Sequence, residues 1–445
     1  MEAPSYLDRR YSKQVRDNVH GHIYLDPRSS ADIFDTNCRL RDLKQLGLTY
    51  MVYPGAVHSR FEHSLGVYWL AGDAVYRLKA QQGSELGIEG FDIQTVKLAG
   101  LLHDVGHGPF SHMFEHEFLP RALKNPGDSN WSHEDMSLKL IDYIVDAHHI
   151  DIGAECIQKA KSTKEKGFLF DIVANGRNGI DVDKFDYIVR DTRACGLCSN
   201  FQFERLLDNM RVIDGQICYP LKDYLTVNKL FTTRADLHRT VYLHAKVKAI
   251  ELMVVDALLK ADEFLQISSK IQDASQFWKI DDTILKTIEI SDEQELKEAR
   301  DLINRIRTRN LYQFCGEFSV PQDKQDHFKK ITPQDIVCSQ ASSDVTLEEE
   351  DVIVSTIKID LTRGMDYPLE SVGFYENFEQ KQVSKAKKEH FSHMLPSFCQ
   401  DKIVRVYSRK PELGQAVNQA FQNYQEKTYG EIRSVLGTPR KLAFN

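Results

Sequence analysis

The chain has 445 residues, 42% of them hydrophobic and 27% charged, with a formal net charge of −8. That is the balance of an ordinary folded protein, long enough for two or three domains or one extended helical one, and it excludes a dominantly basic nucleic-acid protein. An anionic substrate must therefore be held by a metal and by individually placed Arg and Lys. The eight cysteines are sparse for this length, which fits reduced thiols, and no apolar run reaches membrane length. The N-terminus has no apolar signal core, so the expectation is a soluble intracellular protein of the nucleus or cytoplasm, with no membrane partner.

In chain order, residues 1–19 form a polar, charged N-terminal segment, and HGHIYLDP at 20–27 reads as a short extended piece with a turn. Residues 39–47 predict a short helix ended by Gly47, followed by a β-prone stretch at 48–52. Ser59 and Glu62 make a capping box, and Val67, Leu70, Ala71 and Ala74 continue the helix on one face. Arg60 and His63, three apart, share the face of its first turn. Taken alone, His63 reads as a satisfied core histidine. Asp92 is expected to cap the next helix, whose apolar positions Val96, Ala99, Leu101 and Leu102 deliver His103 and Asp104 at its end.

Residues 101–118, LLHDVGHGPFSHMFEHEF, carry His103, Asp104, His107, His112, Glu115 and His116 beside Gly106, Gly108 and Pro109. Imidazole nitrogen with carboxylate oxygen suits iron, manganese, zinc or magnesium, so the segment predicts a metal-dependent hydrolase site. Ser132 is expected to cap a helix, and residues 151–166 to form a helix with a charged connector. In residues 175–191, NGRNGIDVDKFDYIVRD, helical spacing puts Asp183, Tyr187 and Asp191 on one stripe with Lys184 on its flank. Such a stripe alone is commonly a solvated face, but Val182, Phe185, Ile188 and Val189 cover so wide an arc that part of it must be interior.

Cys195 and Cys198 have CxxC spacing without a second such pair, which favours two buried structural thiols with Gly196 ending a helix. Residues 225–270 predict one long helix or a kinked pair, with Arg234, His238, Tyr242 and Lys246 at steps of four. These side chains either line a phosphate or nucleotide pocket or coat a surface. Residues 293–313 predict a charged helix, 317–350 a polar loop, 351–361 and 402–407 strands, and 411–435 a closing helical segment. There is no internal repeat and no low-complexity tract.

The order His63, His103-Asp104, Asp183 matches the H…HD…D quartet of HD-domain metal phosphohydrolases. The surrounding words sharpen the match: KQLG at 44–47, FEHSLGV at 61–67, HDVGHGPFSH at 103–112 and NGIDVDK at 178–184. Through these the chain resembles the eukaryotic SAM-and-HD-domain deoxynucleoside triphosphate triphosphohydrolases, over residues 13–410 and without the SAM domain. The resemblance implies a mainly α fold with three parts. These are an N-terminal allosteric and assembly segment (1–19), an HD-domain catalytic core (20–275) and a smaller mixed α/β regulatory and oligomerisation lobe (276–445).

It further implies that His63, His103, Asp104 and Asp183 hold a divalent metal, with a second Mg carried by the nucleotide. Metal-activated water would attack the α-phosphorus. His112 would be the general acid for the departing 5′ oxygen, oriented by Glu115, with His107 and His133 beside the phosphates. Arg60, Lys184, Tyr187 and Arg234 would grip the triphosphate, joined in the pocket by Leu46 and His238. Gln45 and Asp191 would bind the 3′ hydroxyl, and Tyr242 would stack on the sugar and exclude a 2′ hydroxyl. The products would be a deoxynucleoside and tripolyphosphate, and the role control of the cellular dNTP pool.

The family also assembles from dimer to tetramer on binding GTP and a dNTP. Lys13, Asp35, Arg41 and Arg309 match its guanine-nucleotide positions; Arg205, Lys222, His244 and Arg409 match its dNTP positions. Residues 35–41, DTNCRLR, are two residues shorter than the family's segment, and Pro220, Ala245 and Gln313 stand where it has basic residues and Leu243 where it has glutamine. Two other readings compete: an HD nucleotide phosphodiesterase or nucleotidase, and a non-catalytic single-stranded nucleic-acid-binding protein. Lys184, Tyr187 and Arg234 weigh against the first, and the intact quartet and acidic balance against the second.

Overall fold

The computed structural model describes residues 12–25, 37–123, 131–150, 166–325, 328–341, 345–362, 364, 366–385, 391–392, 395, 398–430 and 435–436. Lys13–Asp17 (β1) and Gly21–Leu25 (β2) form an antiparallel hairpin, and its turn spans the 19/20 division expected from sequence. The β-prone residues after Gly47 do not make a strand. Gly47–Met51 is a 3-10 turn, closed by local bonds such as Thr49 N to Leu46 O (3.0 Å), and among the described residues no strand pairs with it.

Arg60–Leu86 (α1) starts at the Ser59–Glu62 capping box and ends at left-handed Gly87. It kinks at Gln82, whose side-chain amide pairs with both the N–H and the carbonyl of Val212. Gly90–Leu102 (α2) is capped by Glu89, three residues before the expected Asp92. Asp92 instead occupies the third helical position and accepts from the Glu89 N–H at 2.8 Å. The helix stops at Leu102, leaving His103 and Asp104 just past its end.

Ser132 caps His133–Ala147 (α3), and Asp181 caps Val182–Ala194 (α4). Gly196 turns the chain out of α4 at positive φ as expected, but only Cys195 is half-buried and Cys198 is exposed. The helix expected at 151–166 falls, except for its last residue, outside the described residues.

Arg211–Ile213 (β3) and Gln216–Pro220 (β4) make a second hairpin. The 225–270 stretch is a kinked pair. Tyr224–Leu237 (α5) runs into a π-helical turn, His238–Tyr242, and breaks at Leu243 and His244 before Ala245–Leu265 (α6).

Lys297–Arg307 (α7) is shorter than predicted: Arg309 has φ 60°, and Gln313 already opens a strand. That strand, Gln313–Ser319 (β5), joins Val352–Asp360 (β6), Gln400–Ser408 (β8) and Val435–Leu436 (β9) in a sheet of order β6-β8-β5-β9. The segment expected to be a loop at 317–350 begins inside β5 and contains a capped helix, Pro333–Val337. Gly373–Tyr375 (β7) leaves this lobe to pair in parallel with β4.

Gly414–Tyr429 (α8) packs Val417, Ala420 and Phe421 on Phe318, Val404 and Val406 of the sheet. The larger apolar core runs unbroken from Ile23 through α1 and α6 to Tyr407, so the 275/276 division crosses a shared core. The fold is mainly α with a small mixed lobe. Among the described residues no helix is long and apolar enough to cross a membrane.

Candidate metal centre

Three helix ends converge. The first turn of α1 supplies Arg60 and His63, the end of α2 supplies His103 and Asp104, and the first turns of α4 supply Asp183, Lys184 and Tyr187. His63 Nε2 lies 3.0 Å from Asp183 Oδ1 and 3.6 Å from Asp104 Oδ2; His103 Nε2 lies 3.5 Å from Asp183 Oδ1 and 3.4 Å from Asp104 Oδ1. Both Nε2 atoms are buried and have no hydrogen-bond partner, an arrangement that costs about 1–3 kcal/mol per group unless something else satisfies it.

Donor atoms about 3 Å apart are the edges of a coordination shell with bonds near 2.1 Å. Two imidazoles and two carboxylates thus fit a divalent ion. His63, His103 and Asp183 form the tightest group, while Asp104 also takes the Arg60 guanidinium on Oδ2. Burial pushes His63 down, but the Asp183 and Asp186 carboxylates beside its two ring nitrogens outweigh that and hold it up near 10. Burial likewise raises Asp183, and the two histidines pull it well below the usual carboxylate range.

Beside the quartet His107, His112 and His133 place ring nitrogens within 4.8 Å of one another, and His107 stacks on His133 at 3.8 Å. Glu115 is as close to His112 and His116, yet its 2.7 Å hydrogen bond goes to His133 Nδ1 and not to His112. The π-helical turn Phe114–Phe118, widened by one residue, carries Glu115 round toward α3. Burial, then the positive charge of Arg60 and the neighbouring His133 and His116, push His112 down to about 4, so it is neutral at pH 7 in the free chain.

Of the expected phosphate donors, Arg60, Lys184 and Arg234 are engaged by acceptors of the protein itself. Arg60 holds Asp104 and donates from Nε to Ser111 Oγ (3.2 Å), Lys184 Nζ holds Asp181 (2.9 Å), and Arg234 Nη1 donates to the Asp360 carbonyl (2.9 Å). Burial raises Tyr187 to about 12, which keeps its hydroxyl a donor. Asp191 accepts from Tyr242 Oη on one oxygen and from His58 Nε2 on the other, both at 2.7 Å. Tyr242 contacts Tyr187 and His238 edge-on. Gln45 Oε1 is buried without a partner, and Leu46 packs against the core beside it.

Several supporting residues escaped the sequence reading. Asp282 accepts from the backbone N–H groups of Lys44 (2.8 Å) and Phe110 (2.7 Å), tying the 44–47 turn to the histidine loop. Phe110 and Ser111 both hold positive φ there, a strain of the kind found at working sites. Ser137 Oγ donates to the His103 carbonyl and accepts from Gly106 N. His58 and Asp186 lie one turn or less from predicted residues, but the contacts that tie them to the site, His58 to Asp191 and Asp186 to His63, span 133 and 123 residues.

Of the expected allosteric residues, Asp35 lies outside the described residues. Lys13 is on β1, Arg41 stacks on Phe61 at 3.8 Å, and Arg309 donates to the Met51 carbonyl. Arg205 and Arg409 are tied to Asp223 and Asp256, His244 caps α6, and Lys222 is exposed.

Histidine and aspartate from three helix ends, closing on one point, are the defining feature of an HD-domain hydrolase, and the HD domain family model matches residues 60–188 while that of the HD associated region matches 201–375. A Dictyostelium discoideum protein named deoxynucleoside triphosphate triphosphohydrolase SAMHD1 homolog is 40% identical over 426 residues, covering 94% of this chain and 81% of its own. The human deoxynucleoside triphosphate triphosphohydrolase SAMHD1 is 34% identical, over 97% and 77% of the two chains, and a putative HD domain-containing protein of Acanthamoeba polyphaga mimivirus is 29% identical, over 91% and 94%. The chain belongs to the SAMHD1 family of deoxynucleoside triphosphate triphosphohydrolases.

Proposed function

We propose that the chain hydrolyses dNTPs to deoxynucleoside and tripolyphosphate at this centre. The observation that carries the reading is the pair of orphaned Nε2 atoms on His63 and His103, closed by Asp104 and Asp183 and ringed by phosphate donors. A divalent ion held by these four residues supplies an acidified water and neutralises phosphate charge.

The chain's own residues do the rest. Arg60, Lys184 and Arg234 exchange their present acceptors for phosphate oxygens, so binding costs little new desolvation of cations. Tyr187 donates a neutral hydrogen bond. Gln45 Oε1 and the remaining lone pairs of Asp191 are acceptors for a 3′ hydroxyl, and Tyr242, fixed by its bond to Asp191, fills the space where a 2′ hydroxyl would sit. A triphosphate brings negative charge against His112 and reverses the balance that keeps it neutral, which fits an acid that becomes charged only with substrate present. GTP and dNTP activation and assembly to a tetramer are part of the same proposal. They rest on the family resemblance at Lys13, Arg41, Arg205 and Arg309.

The test is product analysis by anion exchange and phosphorus NMR, using purified protein, each dNTP and Mn or Mg, with and without GTP. Tripolyphosphate with deoxynucleoside is expected. Release of pyrophosphate or inorganic phosphate, or turnover of cyclic nucleotides in preference to dNTPs, would replace this reading with the phosphodiesterase or nucleotidase one.

A further inference from the structure

His63 has a second nitrogen, and it is not free. Nδ1 lies 2.7 Å from Asp186 Oδ2, and since a carboxylate only accepts, Nδ1 carries a proton; Nε2 faces Asp104 and Asp183 and offers its lone pair to an ion once its own proton is displaced. Asp186 is gripped in turn by Arg190, whose Nε and Nη2 donate to its two oxygens at 2.8 and 2.9 Å, and by His20 Nε2 at 2.6 Å. Arg190 Nη1 reaches Asp17 Oδ1 at 2.8 Å, and Asp17 Oδ2 accepts the backbone N–H groups of Val19 and His20.

All five side chains are buried, and Asp186 and His63 fully so. Gly66 makes the approach possible: a Cβ there would overlap both the Asp186 carboxylate and the Arg190 guanidinium. Asp17 and His20 belong to the β1–β2 hairpin, an element that contributes nothing to the donor set itself. Its turn nevertheless ends two bonds from a metal ligand.

We propose that this turn is a working part of the metal centre: Asp17 and His20 are positioning residues that act through Arg190 and Asp186 on His63, so that hairpin docking and metal loading favour each other. The inference rests on the reading of His63 as a metal ligand. Without His20, Asp186 loses the donor on Oδ1 that balances His63 on Oδ2. Without the Asp17 carboxylate, Arg190 is a buried cation with one acid left and draws Asp186 toward itself, away from His63. Because coupling is reciprocal, whatever orders or frees the hairpin changes metal affinity by the factor with which metal orders the hairpin.

The full chain, stripped with EDTA, is titrated with Mn2+ by calorimetry. Metal content as purified is measured by mass spectrometry, and amide exchange is followed over residues 12–25. Asp17→Asn and His20→Ala should weaken Mn2+ about 10- to 100-fold. His20→Gln, which keeps a donor of similar reach, should recover most of the loss. In the unmutated protein Mn2+ should slow exchange in the hairpin, and in His63→Ala it should not.

Unchanged Mn2+ affinity in both hairpin variants overturns the proposal, even if they melt lower in EDTA, since that is a purely structural role. Hairpin exchange indifferent to Mn2+ in the unmutated chain, a measurement needing no variant, overturns it as well. Equal Mn2+ binding by His63→Ala and the unmutated chain overturns the metal assignment itself.

Discussion

Replacing Gly106 with alanine adds one methyl group between the histidine loop and α3. Gly106 has ordinary negative φ, so alanine brings no backbone strain and the substitution isolates crowding. The new Cβ would stand within 3.0 Å of the His133 carbonyl oxygen, the Ser137 nitrogen and the Met136 carbonyl carbon. All three are backbone, so no side chain can swing aside. The loop and helix must part by about 1 Å to restore van der Waals contact. Overpacking of this kind costs about 1–3 kcal/mol, and loss of the buried bond from Gly106 N to Ser137 Oγ adds about 1 kcal/mol. At about 2 °C per kcal/mol for a large domain, the melting temperature should fall by about 4–8 °C.

The chemistry should suffer more, because the same movement unstacks His107 from His133 and shifts the carbonyl of His103; a 1 Å misplacement costs about 100-fold in rate. Calorimetry and dNTP turnover are the assays, with Gly90→Ala as control, since a Cβ at Gly90 meets nothing within 4 Å. A Gly106→Ala protein that melts and turns over like the control would refute the packing of the loop against α3.

His103→Ala with Asp104→Ala should abolish both Mn2+ binding and hydrolysis; full activity would sink the site assignment. Tyr242→Ala should raise the rNTP-to-dNTP rate ratio at least tenfold, and an unchanged ratio would mean the sugar is read elsewhere. His63 is protonated up to about 10 in metal-stripped protein, so Mn2+ must displace its proton and affinity should rise about tenfold per pH unit from 6 to 8; a flat profile would contradict this. Burial and Arg234 push His238 down to about 3, below its unfolded value near 6.5. The unfolded chain therefore takes up a proton that the folded chain does not, so this stability is full above pH 6.5 and lost as pH falls toward 3. His238→Gln should shrink the pH 7 to pH 5 stability difference by about 2 kcal/mol in urea titrations, and an unaltered difference would rule His238 out.

What was legible in the sequence were the features with a local signature. The Ser59–Glu62 box, the apolar run into His103 and Asp104, and the four-residue steps of α4 each depend on neighbours within one or two turns. So did the β-branched runs that became β6 and β8. The misses share a cause of the opposite kind. Residues 48–52 have strand propensity but pair with no strand among the described residues, and the sheet of the short β3–β4 hairpin is completed only when β7 comes back to β4. Asp186, His58 and Asp282 act on partners more than 120 positions away, and one chain read alone carries no trace of such pairings. Glu89 displaced Asp92 as a cap because either carboxylate can serve the first turn.

The parallel pairing of β4 with β7 sets an order of events during synthesis. Cys218 meets Gly373, roughly 150 residues later, at a separation so close that a Cβ at Gly373 would overlap the Cys218 sulfur. On a ribosome adding about 5–20 residues per second, β4 waits about 8–30 s for the strand that completes its sheet. Through that interval a two-stranded ribbon presents an open edge, and such edges invite pairing with other chains. A chain stopped before Gly373 would keep that edge for good, although every predicted metal ligand had already been made.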